Sequence, residues 1–237
     1  MATLTLAGCS TIAVPTGGAR PSSHSVESKV AVGVYAAGQD ALTPEQKEKL
    51  APLPETSVTY SQNRNLDAAR VKDRLEAIDA RYKVGQAFDA VDTEFIRAYA
   101  APNQDVLGSG TTAELAGTQG FSVSRGSGTH TCKIGGTVGH YGGPINYSWK
   151  ASTKFTRGSG IKAATLHAYA RGYGIIGSHG IGLVYSSTPR VTTTSSSYYF
   201  NRSGSYSALE VYFTIYVDAS CSYSSGSYTV KSPLAWE

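Results

Sequence analysis

The sequence predicts an α+β fold in which an amphipathic helical segment precedes a mainly antiparallel β-sandwich or barrel with one disulfide. Apolar residues recur at spacings of three and four between residues 65 and 101, as on a helix with one buried face. After residue 130 apolar and polar residues alternate, which is the pattern of half-buried strands. Turns rich in Ser and Gly separate these alternating segments, as in folds built from several short strands, and the whole chain contains 26 glycines.

The helical segment carries signals for both of its ends. Asn65 is the predicted N-cap, and Pro102 ends the segment because proline cannot continue a helix. Gly85 interrupts the apolar stripe, so the pattern allows one kinked helix or two shorter helices. Such a segment forms either an oligomerisation stalk or a helix packed on its own domain. The stripe consists of Val71, Leu75, Ile78, Tyr82, Phe88, Val91, Phe95 and Tyr99.

Two smaller elements are predicted before this segment. Residues 30–35 alternate as a short strand. Thr43 and Gln46 fit a capping box, with Pro44 at the first helical position. Pro52 then stops this short helix, because its ring and its missing N–H interrupt helical hydrogen bonding.

The β module is predicted to expose a polar face that carries tyrosines and lysines. Residues 145–156 alternate so that two lysines lie opposite the apolar side chains. In residues 206–221 the apolar side chains share one face, which places three tyrosines on the other; alternatively, the tyrosines pack beneath a loop, the helix or a neighbouring subunit. The predicted binding residues are Tyr206, Tyr212, Tyr216, Lys150 and Lys154. Further strands are predicted at residues 131–138, 161–170, 174–185, 191–200 and 227–231.

A short motif surrounds the first cysteine. Residues Leu6, Ala7, Gly8 and Cys9 resemble the lipobox of bacterial lipoproteins, and the resemblance covers these four residues. It implies that Cys9 carries lipid and becomes the mature N-terminus. An exported protein of the cell envelope or the extracellular space would then be attached to a membrane through this lipid anchor.

The sequence contains three cysteines, which is an odd number. If Cys9 carries lipid, Cys132 and Cys221 remain as one pair inside the β module. Cys221 shares the apolar face of its strand, so the disulfide would join two sheets. The alternative is a pair of reduced, buried thiols in a cytosolic protein.

Changes in composition divide the chain into four predicted parts. Residues 1–28 form a lipoprotein-type leader and a flexible tether rich in Ser, Gly and Pro. Residues 29–106 contain the short strand and the helical region. Residues 107–130 form a Gly/Ser/Thr linker, and residues 131–237 form the β-sandwich module.

Charge is distributed unevenly along the chain. Residues 1–120 contain 11 Lys/Arg and 14 Asp/Glu, whereas residues 121–237 contain 10 Lys/Arg and only 3 acids. A basic, acid-poor module suits a negatively charged partner. The predicted partner is therefore a glycan, an anionic envelope polymer or a protein; a homo-oligomer is compatible with the sequence, and nucleic acid is not expected.

The sequence predicts no catalytic group, metal or cofactor. Glu210 and Asp218 lie eight residues apart on one predicted strand, a distance of about 26 Å and too far for the carboxylate pair of a glycosidase. The Gly-x-Gly-x-x-Gly string at residues 172–177 is followed by strand-like residues, whereas dinucleotide binding needs a helix. A zinc site is not expected, because the spacing of known zinc ligands is missing among His130, His140, His167 and His179.

These observations favour a non-enzymatic binding or adhesion protein that is surface-exposed or secreted and uses the Tyr/Ser/basic β face. One alternative is a self-assembling subunit of an extracellular filament, fibre or virion. In that case the strand at residues 30–35 would complete the sheet edge of a neighbour. A further alternative is a membrane-active pore-forming protein whose Ser/Tyr strands close into a barrel.

Overall fold

The computed structural model describes residues 28–30, 42–107, 117–143, 145–177 and 180–235. Cys9, the predicted tether and residues 31–35 lie outside the described residues. No helix in the described part of the chain is both long and apolar enough to cross a membrane. The helices of this part are α1 (Pro44–Leu50), α2 (Ala68–Arg81), α3 (Ala90–Tyr99) and α4 (Gln104–Leu107).

The strands form two antiparallel sheets, as expected for a sandwich rather than a closed barrel. The strands are β1 (Ser28–Val30), β2 (Ala101–Pro102), β3 (Gly117–Arg125), β4 (Cys132–Gly143), β5 (Asn146–Arg157), β6 (Ile161–Ile175), β7 (Ile181–Ser187), β8 (Arg190–Thr193), β9 (Ser197–Ser207), β10 (Glu210–Tyr223) and β11 (Gly226–Lys231). The four-stranded sheet has the order β3-β4-β5-β9. The seven-stranded sheet has the order β1-β7-β6-β10-β11, with β8 beside β6 and β2 beside β10.

The helical region packs on the seven-stranded sheet rather than standing apart as a stalk. Leu75 and Ile78 of α2 and Phe95 of α3 share one buried cluster with Tyr173 of β6 and Tyr212 of β10. A second cluster fills the space between the two sheets. The seven-stranded sheet is therefore covered on both faces, whereas the four-stranded sheet is covered on its inner face.

The long helical pattern forms two helices separated by a loop. Gly85 lies in this loop with a φ of +89°, a conformation that glycine adopts at little cost. The predicted cap at Asn65 is wrong: Asp67 caps α2 and accepts a hydrogen bond from Arg70 N at 2.8 Å. Asn65 lies two residues earlier with a φ of +52°. Both residue types are good N-caps, so the sequence alone did not separate them.

The capping box at the start of α1 is confirmed. Gln46 N donates to Thr43 Oγ1 at 3.2 Å, and Thr43 N donates to Gln46 Oε1 at 2.9 Å. Pro44 occupies the first helical position.

The strands predicted at residues 145–156 and 206–221 correspond to β5 and β10. The structure corrects the sequence prediction at two places, namely β3 and Tyr206. The linker prediction is wrong for residues 117–125, which form β3 and pair with β4. Phe121 and Val123 of β3 are partly buried and pack against the core, but the surrounding glycines and serines resemble a linker. Tyr206 belongs to β9 rather than to the strand of Tyr212, because the chain turns between the two.

A disulfide and a hydrogen bond are among the contacts that link the facing sheets. Cys132 of β4 and Cys221 of β10 form a disulfide, which confirms the predicted pair and its position between the sheets. Trp149 of β5 donates through Nε1 to Tyr185 OH of β7 at 2.8 Å. Both contacts are buried, so they fix how the four-stranded sheet lies on the seven-stranded sheet.

Gly204→Ala is expected to destabilise the protein by about 2–3 kcal/mol, the cost of overpacking a close-fitting core. Gly204 faces Trp149 across β9 and β5, and an added Cβ would lie 2.6 Å from Trp149 Nε1 and 2.8 Å from Tyr185 OH. Urea unfolding measures the loss. Ser203→Ala, on the exposed side of β9, is the control and should change stability by less than about 0.5 kcal/mol. Equal stability of the two variants would contradict this account.

Candidate binding face

The outer face of the four-stranded sheet carries a continuous polar surface, which we call the hydroxyl face. Side chains that point away from the core are aligned across the strands; one row contains Ser122, Gly135, Lys154 and Tyr199. The inner side chains of the same strands are mostly buried or partly buried. The hydroxyl face consists of Thr118, Gly120, Ser122, Ser124, Lys133, Gly135, Thr137, Gly139, Tyr141, Asn146, Ser148, Lys150, Ser152, Lys154, Thr156, Ser197, Tyr199, Asn201, Ser203, Ser205 and Ser207.

The composition of this face is narrow. Every one of its residues is Ser, Thr, Gly, Asn, Lys or Tyr, so it contains neither a carboxylate nor an aliphatic side chain. Hydroxyl and amide groups both donate and accept hydrogen bonds. Lysines are the only cationic side chains of the face, and they give it a positive potential.

Lys150 and Lys154 lie on the polar side of β5, where the sequence pattern placed them, and both are exposed. Four residues along one strand separate their Cα atoms by roughly 13 Å. Lys154 Nζ lies 5.6 Å from the centroid of the Tyr199 ring, which is a cation–π contact. Tyr199 is 66% exposed, so this pair presents an aromatic ring beside a charge.

Tyr141 lies close above the backbone of β4. A Cβ on Gly139 would be 2.5 Å from Tyr141 OH and 2.8 Å from two ring carbons, so the close approach of the ring requires glycine. The hydroxyl of Tyr141 is hydrogen-bonded to Thr118 Oγ1 of β3. These two contacts hold the ring in place while it stays 39% exposed.

A pocket of about 450 Å³ lies at the Tyr141 end of the hydroxyl face. One of its rims is ordered by a hydrogen bond in which Ser207 Oγ donates to Asn146 Oδ1 at 2.7 Å. The described residues that line it are all uncharged. The lining residues are Tyr141, Gly142, Asn146, Tyr147, Ser148, Ser205, Tyr206 and Ser207.

The prediction that Tyr212 and Tyr216 lie on an exposed face is wrong. They are 0% and 1% exposed, because the helical region covers the outer face of the seven-stranded sheet. Tyr212 OH donates to Leu50 O at 2.6 Å, and the Tyr216 ring stacks on that of Tyr169 at 4.5 Å. Burial raises the pKa of both hydroxyl groups. Both tyrosines therefore hold the helical layer and are inaccessible to a ligand.

The exposed position predicted for Tyr206 is also wrong, since its side chain points between the sheets and is 6% exposed. There its hydroxyl donates to Glu210 Oε2. A register shift between Glu210 and Tyr212 marks a bulge in β10. Glu210 consequently faces the four-stranded sheet, while the next two residues face the helices.

Glu210 forms the centre of a buried polar cluster between the sheets. His140 Nε2 of β4 lies 3.0 Å from Glu210 Oε1, and the His140 ring stacks on Phe213 at 3.9 Å. Burial raises the pKa of the Glu210 carboxyl group, although hydrogen bonds from His140 and Tyr206 oppose the rise. Because Glu210 is 0% exposed, the cluster joins the sheets and offers no group to a molecule bound outside.

The second acid of β10 forms a separate pair. Asp218 Oδ1 lies 2.8 Å from His167 Nδ1 of β6, so Glu210 and Asp218 each have their own histidine. Among the residues whose structure is described, no three His, Cys, Asp or Glu side chains lie close enough to hold a metal ion. His179 lies outside the described residues.

Sequence reasoning missed the two exposed tyrosines of the hydroxyl face. Tyr199 follows Tyr198, and two adjacent tyrosines do not reveal which of them faces the core; the buried Phe200 settles the alternation. Tyr141 lies beyond residue 138, where the glycine-rich end of β4 resembles a turn. Continuing the alternation from Val138 would have placed it on the outer side.

The fold and the site define an α+β protein with a disulfide-linked antiparallel sandwich and a polar outer face whose described residues include no carboxylate. A comparison with protein-family models found no match, and a comparison with curated proteins found no similar sequence. Function therefore has to be inferred from the geometry and chemistry of the face itself.

Proposed function

We propose that the protein is a non-enzymatic binding module that holds an anionic glycan or related envelope polymer on its hydroxyl face. The observation that carries the proposal is the composition of this face, on which none of the residues that the structure describes places a carboxylate beside Lys133, Lys150 or Lys154. An approaching anion meets cations and hydrogen-bond donors without a competing negative charge. The two exposed tyrosines add flat aromatic contact area.

The shape of the face supports a polymer rather than a small molecule. The outward residues of β5 extend over roughly 30 Å, and four strands span roughly 15 Å across. Small ligands prefer concave, mostly apolar pockets. An extended polymer instead makes many weak contacts at once, which together give useful affinity.

Export and a lipid anchor at Cys9 complete the proposal. The Cys132–Cys221 disulfide supports it, because disulfides persist in oxidising compartments outside the cytosol. The lipobox-like residues supply the attachment point, and the hydroxyl face would then act at the cell envelope.

The test is binding of hyaluronate, an acidic polysaccharide, and of neutral dextran of similar length to wild type and to Lys150→Gln/Lys154→Gln. Wild type is expected to bind hyaluronate at least about tenfold more tightly than dextran, because dextran carries no charge for the lysines to attract. The double variant should bind hyaluronate at least about tenfold more weakly at low salt, with a shallower dependence of affinity on salt, because two charge contacts are lost. Isothermal titration calorimetry across a salt series measures both quantities.

Lys49→Gln/Lys83→Gln removes the same charge from exposed positions outside the hydroxyl face and serves as the control. Equal loss of affinity in both double variants would mean that net charge, not the face, attracts the polymer. Binding of dextran as tight as that of hyaluronate would contradict the role of the lysines. Light scattering of the same samples reports mass, and a multimer without polymer binding would favour the self-assembly alternative.

A further inference from the structure

The pocket beside Tyr141 differs chemically from the rest of the hydroxyl face. Its lining, as far as the structure describes the chain, contains hydroxyl groups, one amide and aromatic rings but no lysine. Hydroxyls and amides donate and accept equally, whereas a phosphate or sulfate group only accepts hydrogen bonds at neutral pH. An uncharged ligand with many hydroxyl groups therefore matches this lining better than an anion does.

The pocket is also organised before any ligand binds. Tyr141 is fixed by its contact with Gly139 and its hydrogen bond to Thr118. Asn146 is fixed by the hydrogen bond from Ser207. Groups that are already ordered lose little conformational entropy when a ligand binds, which raises affinity.

Its size and its neighbours define the ligand further. A volume of about 450 Å³ lies in the usual range for small-ligand sites and accommodates a sugar ring. The C–H bonds on one side of a pyranose ring pack on the electron-rich face of an aromatic side chain. Lys150 follows Ser148 on the same side of β5, so its Cα lies roughly 7 Å further along the strand.

We propose that this pocket is a subsite for a neutral sugar ring, and that the partner of the hydroxyl face is an acidic polysaccharide containing both neutral and acidic units. The neutral ring stacks on Tyr141 and exchanges hydrogen bonds with Asn146, Ser148 and Ser205. The acidic group of the next unit reaches Lys150. This inference rests on the proposed function and selects, among anionic polymers, those that carry sugar rings.

The test compares hyaluronate, which alternates neutral and acidic sugars, with polyphosphate of equal charge. Wild type is expected to bind hyaluronate at least tenfold more tightly than polyphosphate at the same salt concentration. Tyr141→Ala should weaken hyaluronate binding about tenfold and polyphosphate binding less than twofold. Tyr60→Ala is the matched control, since Tyr60 is also 39% exposed but lies outside the hydroxyl face.

Two further variants keep the test independent of folding defects. Tyr141→Phe retains the ring and loses the bond to Thr118, so it should bind hyaluronate within about threefold of wild type. Ser148→Ala removes one hydroxyl group without adding bulk to the pocket and should weaken hyaluronate binding selectively.

The outcomes separate this inference from the proposed function. Equal affinity for both polymers, or equal weakening of both by Tyr141→Ala, would overturn the sugar subsite, while loss of binding in Lys150→Gln/Lys154→Gln would still support the binding face. Failure of wild type to bind either polymer would overturn both.

Discussion

Replacing Cys132 and Cys221 by alanine is expected to lower the free energy of unfolding by about 4–5 kcal/mol. The disulfide closes a loop with a sequence separation of 89, and a loop of this length restricts the unfolded chain by that amount in the chain-entropy description. Alanine is preferred to serine because both sites are 0% exposed, where an unpaired hydroxyl would add its own cost. Urea denaturation of the variant and the oxidised wild type measures the difference.

Reduction of the wild type provides an independent measurement of how much the Cys132–Cys221 disulfide contributes to stability. Wild type in excess dithiothreitol should lose a similar amount of stability, whereas Cys9→Ala should leave the unfolding curve unchanged. A loss below about 1 kcal/mol in the double variant would show that the unfolded chain is already restricted without the bond.

Arg171→Met is expected to lower the free energy of unfolding by about 3–5 kcal/mol at pH 7, because it leaves a buried carboxylate without its cation. Arg171 Nε of β6 lies 2.5 Å from Asp79 Oδ2 of α2, and the two side chains are 6% and 11% exposed. The guanidinium also donates to Ser187 O at 2.7 Å and to Thr188 Oγ1 at 2.8 Å. Arg190→Met, at an exposed arginine of β8, is the control. Similar losses in both variants would contradict a special role of the buried pair.

The same pair predicts how wild-type stability changes with pH. Burial raises the pKa of Asp79 from 3.8 to about 6, although Arg171 limits the rise. Between about pH 4 and pH 6 the folded protein therefore binds more protons at Asp79 than the unfolded chain does, and this group makes folding less favourable as pH rises. The loss from this group reaches at most about 3 kcal/mol by pH 7. Asp79→Asn should remove this pH-dependent loss of stability. If the slope of stability against pH from 4 to 6 were the same in Asp79→Asn as in wild type, the assignment to Asp79 would be contradicted.

Alternation along the chain predicted which side chains share a face, but it did not predict what covers that face. In β5 the inner side faces the sandwich core and the outer side is open, so Lys150 and Lys154 lie on the polar side as the pattern indicated. In β10 both sides are buried, because the helices cover the outer side of this strand. Tyr212 OH, for example, donates to Leu50 O of α1, which lies 162 residues away in sequence. Contacts at such separations leave no periodic signal in one sequence.

Strand boundaries were predicted wrongly where a turn lacked the usual turn residues or where a strand contained them. Ala208 and Leu209 connect β9 to β10 without Gly, Pro, Asn or Asp, so the two strands were merged and Tyr206 was placed on the wrong one. Conversely, the glycines of β3 lie inside a strand and resembled a linker. The candidate face was therefore predicted through its lysines, and its accessible tyrosines became evident only from the register of the sheet.

The disulfide also determines how the protein would carry a mechanical load. When the two ends of the chain are pulled apart, tension passes directly from Cys132 to Cys221, and the intervening segment is not stretched. That segment contains nearly all of β4 together with β5 and β9, which provide most of the hydroxyl face. At roughly 3.4 Å per extended residue, about 300 Å of contour length stays hidden from the force. The part of the hydroxyl face on β4, β5 and β9 is therefore shielded from the force, whereas β3 lies outside the covalent loop and is exposed to it.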